Sequence, residues 1–147
     1  MNNIQLNEVL KTDRYTKKNF IGCFPLDKLP KIINYPSCMI VNNKKSDNIG
    51  EHWIAIYFDS KKRATFFDSF GLHPRYYKLQ KYLKQYSSSF AYNHKQIQSI
   101  FSDFCGYYCI LFLLFKARKK SLNFISKSFK NPIVNDNLIQ NLINNHE

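Results

Sequence analysis

The run YYCILFLLF, residues 107–115, constrains this chain more than any other stretch: nine residues without a charge, apolar on every side. A helix built from it has no wet face, so it cannot lie amphipathically on a surface, and it is far short of the roughly 20 residues a membrane span requires. It must be a helix in a protein core. Its flanks agree with that reading. The segment KARKK puts positive charge in the last turn, where the helix dipole favours it, and Ser102 or Asp103 could cap the start. Just inside that start stands Cys105, followed by Gly106, with Cys109 one helical turn deeper.

A core helix needs a sheet or other helices to cover it. SCMIVNN (37–43), HWIAIYF (52–58) and RATFFDSF (63–70) are short, apolar and rich in β-branched or aromatic residues, with a DSKK turn between the last two. They read as adjacent antiparallel strands. In the middle one His52, Ile54, Ile56 and Phe58 alternate with Trp53, Ala55 and Tyr57, so both faces are apolar and the strand is covered on both sides. Upstream, residues 3–11 form a helix with Ile4, Leu6, Val9 and Leu10 on its apolar face, followed by the extended NFIGCFPLDKLPKI.

From Pro74, the spacing of Tyr76, Leu79, Leu83 and Tyr86 predicts one amphipathic helix with Lys78, Lys81 and Lys84 outward. SSSFAYNHKQIQS (87–99) predicts a strand, and two helices near 121–129 and 136–145, capped by Ser121 and by Asn135 or Asp136, end the chain. The fold class is α+β: a mixed or antiparallel central sheet packed by a core helix that carries Cys105 at its N-terminus.

No repeat or Gly/Ser-rich linker divides the 147 residues, and 44% hydrophobic content suffices for one core, so a single domain over 1–147 is expected. The start, MNNIQLNEVLKTD, lacks the continuous apolar segment of a secretory leader. These features predict an intracellular, non-secreted, monomeric protein without membrane contact. The four cysteines are expected as thiols. A zinc site is disfavoured because Cys23 and Cys38 stand fifteen positions apart while Cys105 and Cys109 share a helix, so no metal is assigned. The net charge of +12 is spread along the chain, at Lys17/Lys18, Lys44/Lys45, Lys61/Lys62/Arg63, Lys78/Lys81/Lys84 and Lys116/Arg118/Lys119/Lys120; it fits either a polyanionic partner or a lysine-rich solvated surface.

A thiol attacks only as thiolate, and the unpaired N–H groups at a helix N-terminus favour that anion. Cys105 has that placement, and Gly106 lets another chain approach closely. Cys109, deeper among apolar neighbours, reads as a packing residue. Of the four histidines only His52 opens an apolar strand; His73 sits in a turn, His94 in a polar stretch and His146 in the tail. Asp68 ends the neighbouring strand and can orient His52, whereas Asp59 lies in a turn.

At this point GEHWIAIYF, ATFFDSFG and QSIFSDFCGYYC, with NFIGCFPLDKLP and CMIVNN upstream, together resemble the adenain family of adenovirus-type cysteine endopeptidases, and more distantly the SUMO and ubiquitin-like-protein proteases. The resemblance covers residues 19–115 or so. It implies a papain-like-clan fold of adenain type, His52 as general base and acid, Asp68 as its orienting carboxylate, Cys105 as nucleophile and Gln98 as oxyanion donor, with Gln96 the weaker competitor. Adenovirus enzymes mostly carry Glu where Asp68 stands; the SUMO-type relatives carry Asp. Trp53 matches the family's His-Trp pair, and Trp53 and Gly106 are expected against substrate, although Trp53 also reads as a core aromatic.

The implied function is cleavage of viral precursor structural proteins at glycine-containing sites during particle maturation, for a virus or virus-like mobile element, in the host nucleus, virus factory or virion. Deconjugation of ubiquitin-like modifiers is the alternative with the same site. A basic nucleic-acid-binding protein is the alternative of another class, and it leaves the ordered His, Asp, Gln and Cys unexplained. No cofactor is required. Stimulation by DNA, which the charge supports, or by a peptide is an expectation, but SSSFAYNHKQ has no cysteine, so the disulfide-linked peptide mechanism of adenovirus enzymes does not transfer.

Overall fold

The β-branched and aromatic runs pair into one five-stranded mixed sheet, order β1-β2-β3-β4-β5: Phe20–Pro25, Ser37–Asn42, Trp53–Phe58, Arg63–Phe67 and Ser89–Tyr92. The three central strands are antiparallel, and the two outer ones each pair parallel to their neighbour. The structure is a computed structural model in which residues 3–43 and 52–145 are described. The side chain of Ile4, the Lys44/Lys45 pair, Gly50 and Glu51 of the GEHW segment, and His146 lie outside the described residues.

Alternation along the strands divides the core in two. Cys38, Ile40, Ala55, Tyr57 and Phe67 face one layer of helices; Met39, Val41, Ile54, Ile56, Phe58 and Phe66 face the other side. The first layer holds α1 (Asn3–Thr12), α3 (Cys105–Ala117), α4 (Leu122–Ser128) and α5 (Pro132–Asn145); the second is built from the 26–35 loop and α2 (Gln80–Tyr86). The central strand is therefore covered on both faces, as its double-sided apolar pattern predicts. The apolar run becomes α3, which lies against β3 with Tyr108, Cys109, Phe112 and Leu113 fully buried. Burial of each such aliphatic or aromatic side chain contributes about 1.5–3 kcal/mol, which anchors the helix and whatever its first turn carries. No helix among the described residues is long and apolar enough to cross a membrane.

Several local expectations need correction. The segment from Pro74 is not one helix: a 3₁₀ turn, Pro74–Tyr77, ends at Lys78 in the left-handed region (φ 59°), and α2 starts anew at Gln80. Leu79 and Leu83 are buried as expected, but Tyr76 is exposed. The predicted strand over 87–99 pairs only at Ser89–Tyr92, which leaves Gln98 in irregular chain. On α1 the buried positions are Leu6 and Leu10, while Val9 turns outward. Helix α5 starts four residues earlier than predicted, with Asn131 Oδ1 accepting from the Val134 N–H (2.9 Å), so Asn135 and Asp136 are interior residues and not its caps. Ser121 caps α4 as predicted, accepting from Phe124 N–H at 3.1 Å.

Gly71 closes the turn after β4. Its φ is +76°, its N–H donates to Asp68 O at 2.8 Å, and a Cβ there would stand 2.8 Å from the Lys95 carbonyl. The left-handed conformation alone costs a non-glycine residue about 1–2 kcal/mol. We predict that Gly71→Ala lowers the melting temperature by several degrees, at about 2–4 °C per kcal/mol. An unchanged thermal transition would show that this turn is not held against the 95–96 backbone.

Candidate active site

Antiparallel pairing brings the start of β3 and the end of β4 to one end of the sheet. The ladder ends at Ala55↔Phe67, with His52 three residues before and Asp68 one residue after that last pair, a separation long side chains can bridge. They do: His52 Nε2 lies 2.7 Å from Asp68 Oδ1, and the His52 and Phe70 rings stack with centroids 4.6 Å apart. His52 stands just before β3 and not within it. This end position releases the imidazole from the strand's alternation.

Asp68 is fully buried, and its carboxylate accepts from four donors. Oδ1 takes His52 and the Phe70 N–H (3.1 Å); Oδ2 takes the Leu72 N–H (3.1 Å) and the Tyr77 hydroxyl (2.8 Å). The Asp68 backbone is also fixed: its N–H donates to Asn93 Oδ1 (3.0 Å) and its carbonyl accepts from Asn93 Nδ2 (2.7 Å). Asn93 thereby continues the β4–β5 ladder with a side chain. Nothing in the sequence singles out Asn93 or Tyr77; Tyr77 sits one residue from the apolar spacing that starts at Tyr76, and Asn93 lies in a stretch that reads only as polar.

Cys105 is the first residue of α3 and is 5% exposed. Its side chain hydrogen-bonds to His52. Because Nε2 is committed to Asp68, Nδ1 is the ring nitrogen left for the sulfur. The helix start differs from expectation. Neither Ser102 nor Asp103 caps it: the N-cap position is Phe104, without a side-chain bond, and no acid stands in the first turn. Ser102 Oγ donates to Ser99 O (3.3 Å), and Asp103 is exposed. A missing cap ordinarily costs about 0.5–2 kcal/mol, but a capping oxygen would occupy the same N–H groups that favour an anion at Cys105.

Burial pushes Cys23 up to about 11, Cys38 up to about 12 and Cys109 well above the usual thiol range. Cys109 donates to Trp53 O at 3.2 Å among the buried core residues, in keeping with a packing role.

Burial alone would lower the His52 pKa, but the hydrogen bonds and charges of Asp68 and Cys105 outweigh it and raise it to about 9. The imidazolium form is thus favoured, the arrangement expected of a thiolate–imidazolium pair.

Gln98 is buried, and its amide is fixed at both ends. Nε2 donates to Ser102 O (2.8 Å), which can only accept, so the amide orientation is determined; Oε1 then accepts from Ser69 Oγ (2.6 Å). Ser69 follows Asp68 and its carbonyl accepts the N–H groups of Ile97 (2.8 Å) and Gln98 (2.9 Å). The dipeptide Asp68–Ser69 therefore holds both His52 and Gln98. Gln96 is exposed, with Nε2 donating to Gln98 O (3.0 Å).

Trp53 and Gly106 pack on each other: a Cβ on Gly106 would overlap the edge of the Trp53 six-membered ring. The clearance at Gly106 is thus filled by Trp53. His73 and His94 lie apart from the site, both against Tyr92, and Asp59 pairs with Arg63 at 2.8 Å in the exposed β3–β4 turn. No group of three or more metal-binding side chains occurs among the described residues.

No protein-family model matches the chain, and no curated protein matches it. Among solved structures it is similar to the selenomethionine crystal structure of ASFV pS273R protease, with a TM-score of 0.55 over 85% of this chain at 16% sequence identity. The two proteins share a fold. The match takes in 61% of that protein, so this chain spans about three fifths of its relative's length.

If the His52–Asp68–Cys105 cluster is a peptidase site, as proposed below, two outcomes follow for a peptidase assay. Since His52 holds its proton until about pH 9, kcat/KM falls as pH rises through that value. The same group stabilises the folded state below its ordinary pKa of 6.5, and that contribution disappears as pH rises through about 9. Asp68→Asn removes the charge that raises the imidazole's pKa, shifting the alkaline limb to lower pH and reducing kcat/KM by about 10²- to 10⁴-fold. An unmoved limb would contradict the His52–Asp68 pairing.

Proposed function

We propose that this protein is a cysteine endopeptidase of a virus or virus-like element that cleaves precursor structural proteins during particle maturation. The observation that supports it best is the single imidazole bonded at once to a buried carboxylate and to a cysteine on an uncapped helix start. The viral protease fold and the adenain-type motifs support the same reading.

In the reaction, the Cys105 sulfur attacks the scissile carbonyl carbon, and the oxygen becomes an oxyanion. The Cys105 N–H and the second N–H of Gln98 Nε2 receive that charge; one such donor is worth roughly 3 kcal/mol of barrier. The imidazolium of His52 protonates the leaving amine as the tetrahedral adduct collapses to a thioester. Neutral His52 then takes a proton from water, whose oxygen attacks the thioester, and the sulfur departs as thiolate beside the imidazolium of His52. Asp68 keeps the ring oriented through both halves. The adenain-type resemblance supports sites with small residues, glycine among them.

Peptides with glycine on either side of the scissile bond, followed by mass spectrometry, test this reading. Cleavage by the native protein and its loss in Cys105→Ala and His52→Ala are expected. Labelling by ubiquitin or SUMO vinyl sulfones without cleavage of such peptides would instead favour deconjugation, and cleavage retained in Cys105→Ala would end the cysteine-peptidase reading.

Nucleic acid is the partner supported by charge. Lys61, Arg63, Lys116, Lys119 and Lys120 line a cleft of about 510 Å³ at the C-terminal end of α3. A thirteen-residue helix places it roughly 20 Å from Cys105. Duplex DNA should bind with affinity that falls steeply with salt, and Lys116→Ala/Lys119→Ala should flatten that slope by about two phosphate contacts.

A further inference from the structure

Gln98 poses a mechanical problem. It lies in irregular chain, where the bonds to Ser69 and Ser102 are not extended by a strand ladder, yet a hydrogen-bond donor for a transition state must be fixed within about 0.5 Å. The backbone on either side of it is held by one helix. On the preceding side, Asn135 Nδ2 donates to Ile97 O at 3.0 Å; on the following side, Asp136 Oδ2 accepts the Ser99 N–H at 3.1 Å. Consecutive residues of α5 thus grip the peptide units flanking Gln98.

We propose that the start of α5 is a clamp for the oxyanion donor, with Asn135 and Asp136 as positioning residues for Gln98. Both are anchored independently of the loop they hold. Asn135 is 2% exposed, and its amide also accepts from Lys130 N–H (2.8 Å) and donates to Lys130 O (3.1 Å). Asp136 Oδ1 accepts from the fully buried Tyr108 hydroxyl at 2.6 Å. Tyr108 lies on α3, one turn from Cys105, so Asp136 ties the loop carrying the donor to the helix carrying the nucleophile. Burial alone asks only that each polar group find a partner; it does not require two adjacent residues of one helix to bracket Gln98 at positions −1 and +1. Asn135 in particular spends an almost fully buried amide on these bonds, where an apolar residue would pack with no polar group to satisfy.

The inference rests on the reading of Cys105 and Gln98 given above, and its test separates the two. A peptide aldehyde ending in glycinal adds the Cys105 sulfur to its carbonyl carbon; a proton goes to the oxygen, and nothing leaves. The adduct's oxygen needs the donors, whereas alkylation of the same sulfur by iodoacetamide does not. With the full chain, Gln98→Ala should weaken the aldehyde about 10²-fold while leaving the alkylation rate within about threefold. Asn135→Ala and the near-isosteric Asp136→Asn should each weaken it about 10-fold with alkylation unchanged, yet by less than twofold when added to Gln98→Ala. Tyr108→Phe, which loosens only the tie to α3, should give a smaller loss of the same kind.

Equal losses with Gln98 intact and on top of Gln98→Ala, or parallel losses in alkylation, would overturn the clamp and leave α5 a stability element. Aldehyde binding that does not need Cys105 would overturn the underlying cysteine-peptidase reading. Should Asn135→Ala fail to fold, Asp136→Asn, which keeps the shape and the Tyr108 partner, decides the question.

Discussion

The buried carboxylate of Asp68 is the interaction on which the rest of the site depends. Removing a carboxylate from water costs several kcal/mol unless donors replace the solvent, and here four do so, from His52, Phe70, Leu72 and Tyr77. Those donors come from the strand opposite, the turn through Gly71 and the 3₁₀ turn, so a single group fixes the geometry of three segments. The carboxylate therefore orients His52 and also assembles the end of the sheet at which His52 stands.

From Asp68 the constraint passes by one peptide bond to Ser69, and from Ser69 to Gln98 through the hydroxyl–amide bond and two backbone bonds. Gln98 in turn donates to Ser102 O, three residues before Cys105. His52, Asp68, Gln98 and the start of α3 are thereby tied together through hydrogen bonds and short stretches of backbone. The thiol itself is singled out by position. Cys23, Cys38 and Cys109 lie where burial disfavours the thiolate, whereas Cys105 opens a helix whose N–H groups no side chain caps and whose first turn carries no acid.

Much of this arrangement is legible in the sequence, because it follows from periodicity. The apolar run can only be a core helix, two-sided strands can only lie mid-sheet, and His52 and Asp68 at the ends of adjacent antiparallel strands have to fall near one another. What escapes depends on contacts between distant residues. Nothing local marks Asn93 as the residue that holds Asp68's backbone, or Asn135 and Asp136 as the grip on 97–99. Asn135 and Asp136 read as helix caps, because Asn and Asp favour caps whenever local propensity is the only guide. Ser102 and Asp103 mislead in the same way. The break at Lys78 is hidden because Leu79 and Leu83 keep helical spacing across a change of helix, and Gln98 passes as strand because its fixation comes from side chains and not from a ladder.

The central claim is that Cys105, alone among four thiols, is activated by His52 at the start of α3. Its most direct test is brief treatment of the native protein with limiting iodoacetamide at pH 6, followed by peptide mapping of the site of alkylation. The structure predicts carboxamidomethylation at Cys105 alone, and its loss in His52→Ala. Equal labelling of Cys23 or Cys38, or a Cys105 that reacts only above the ordinary thiol pKa and regardless of His52, would contradict the account.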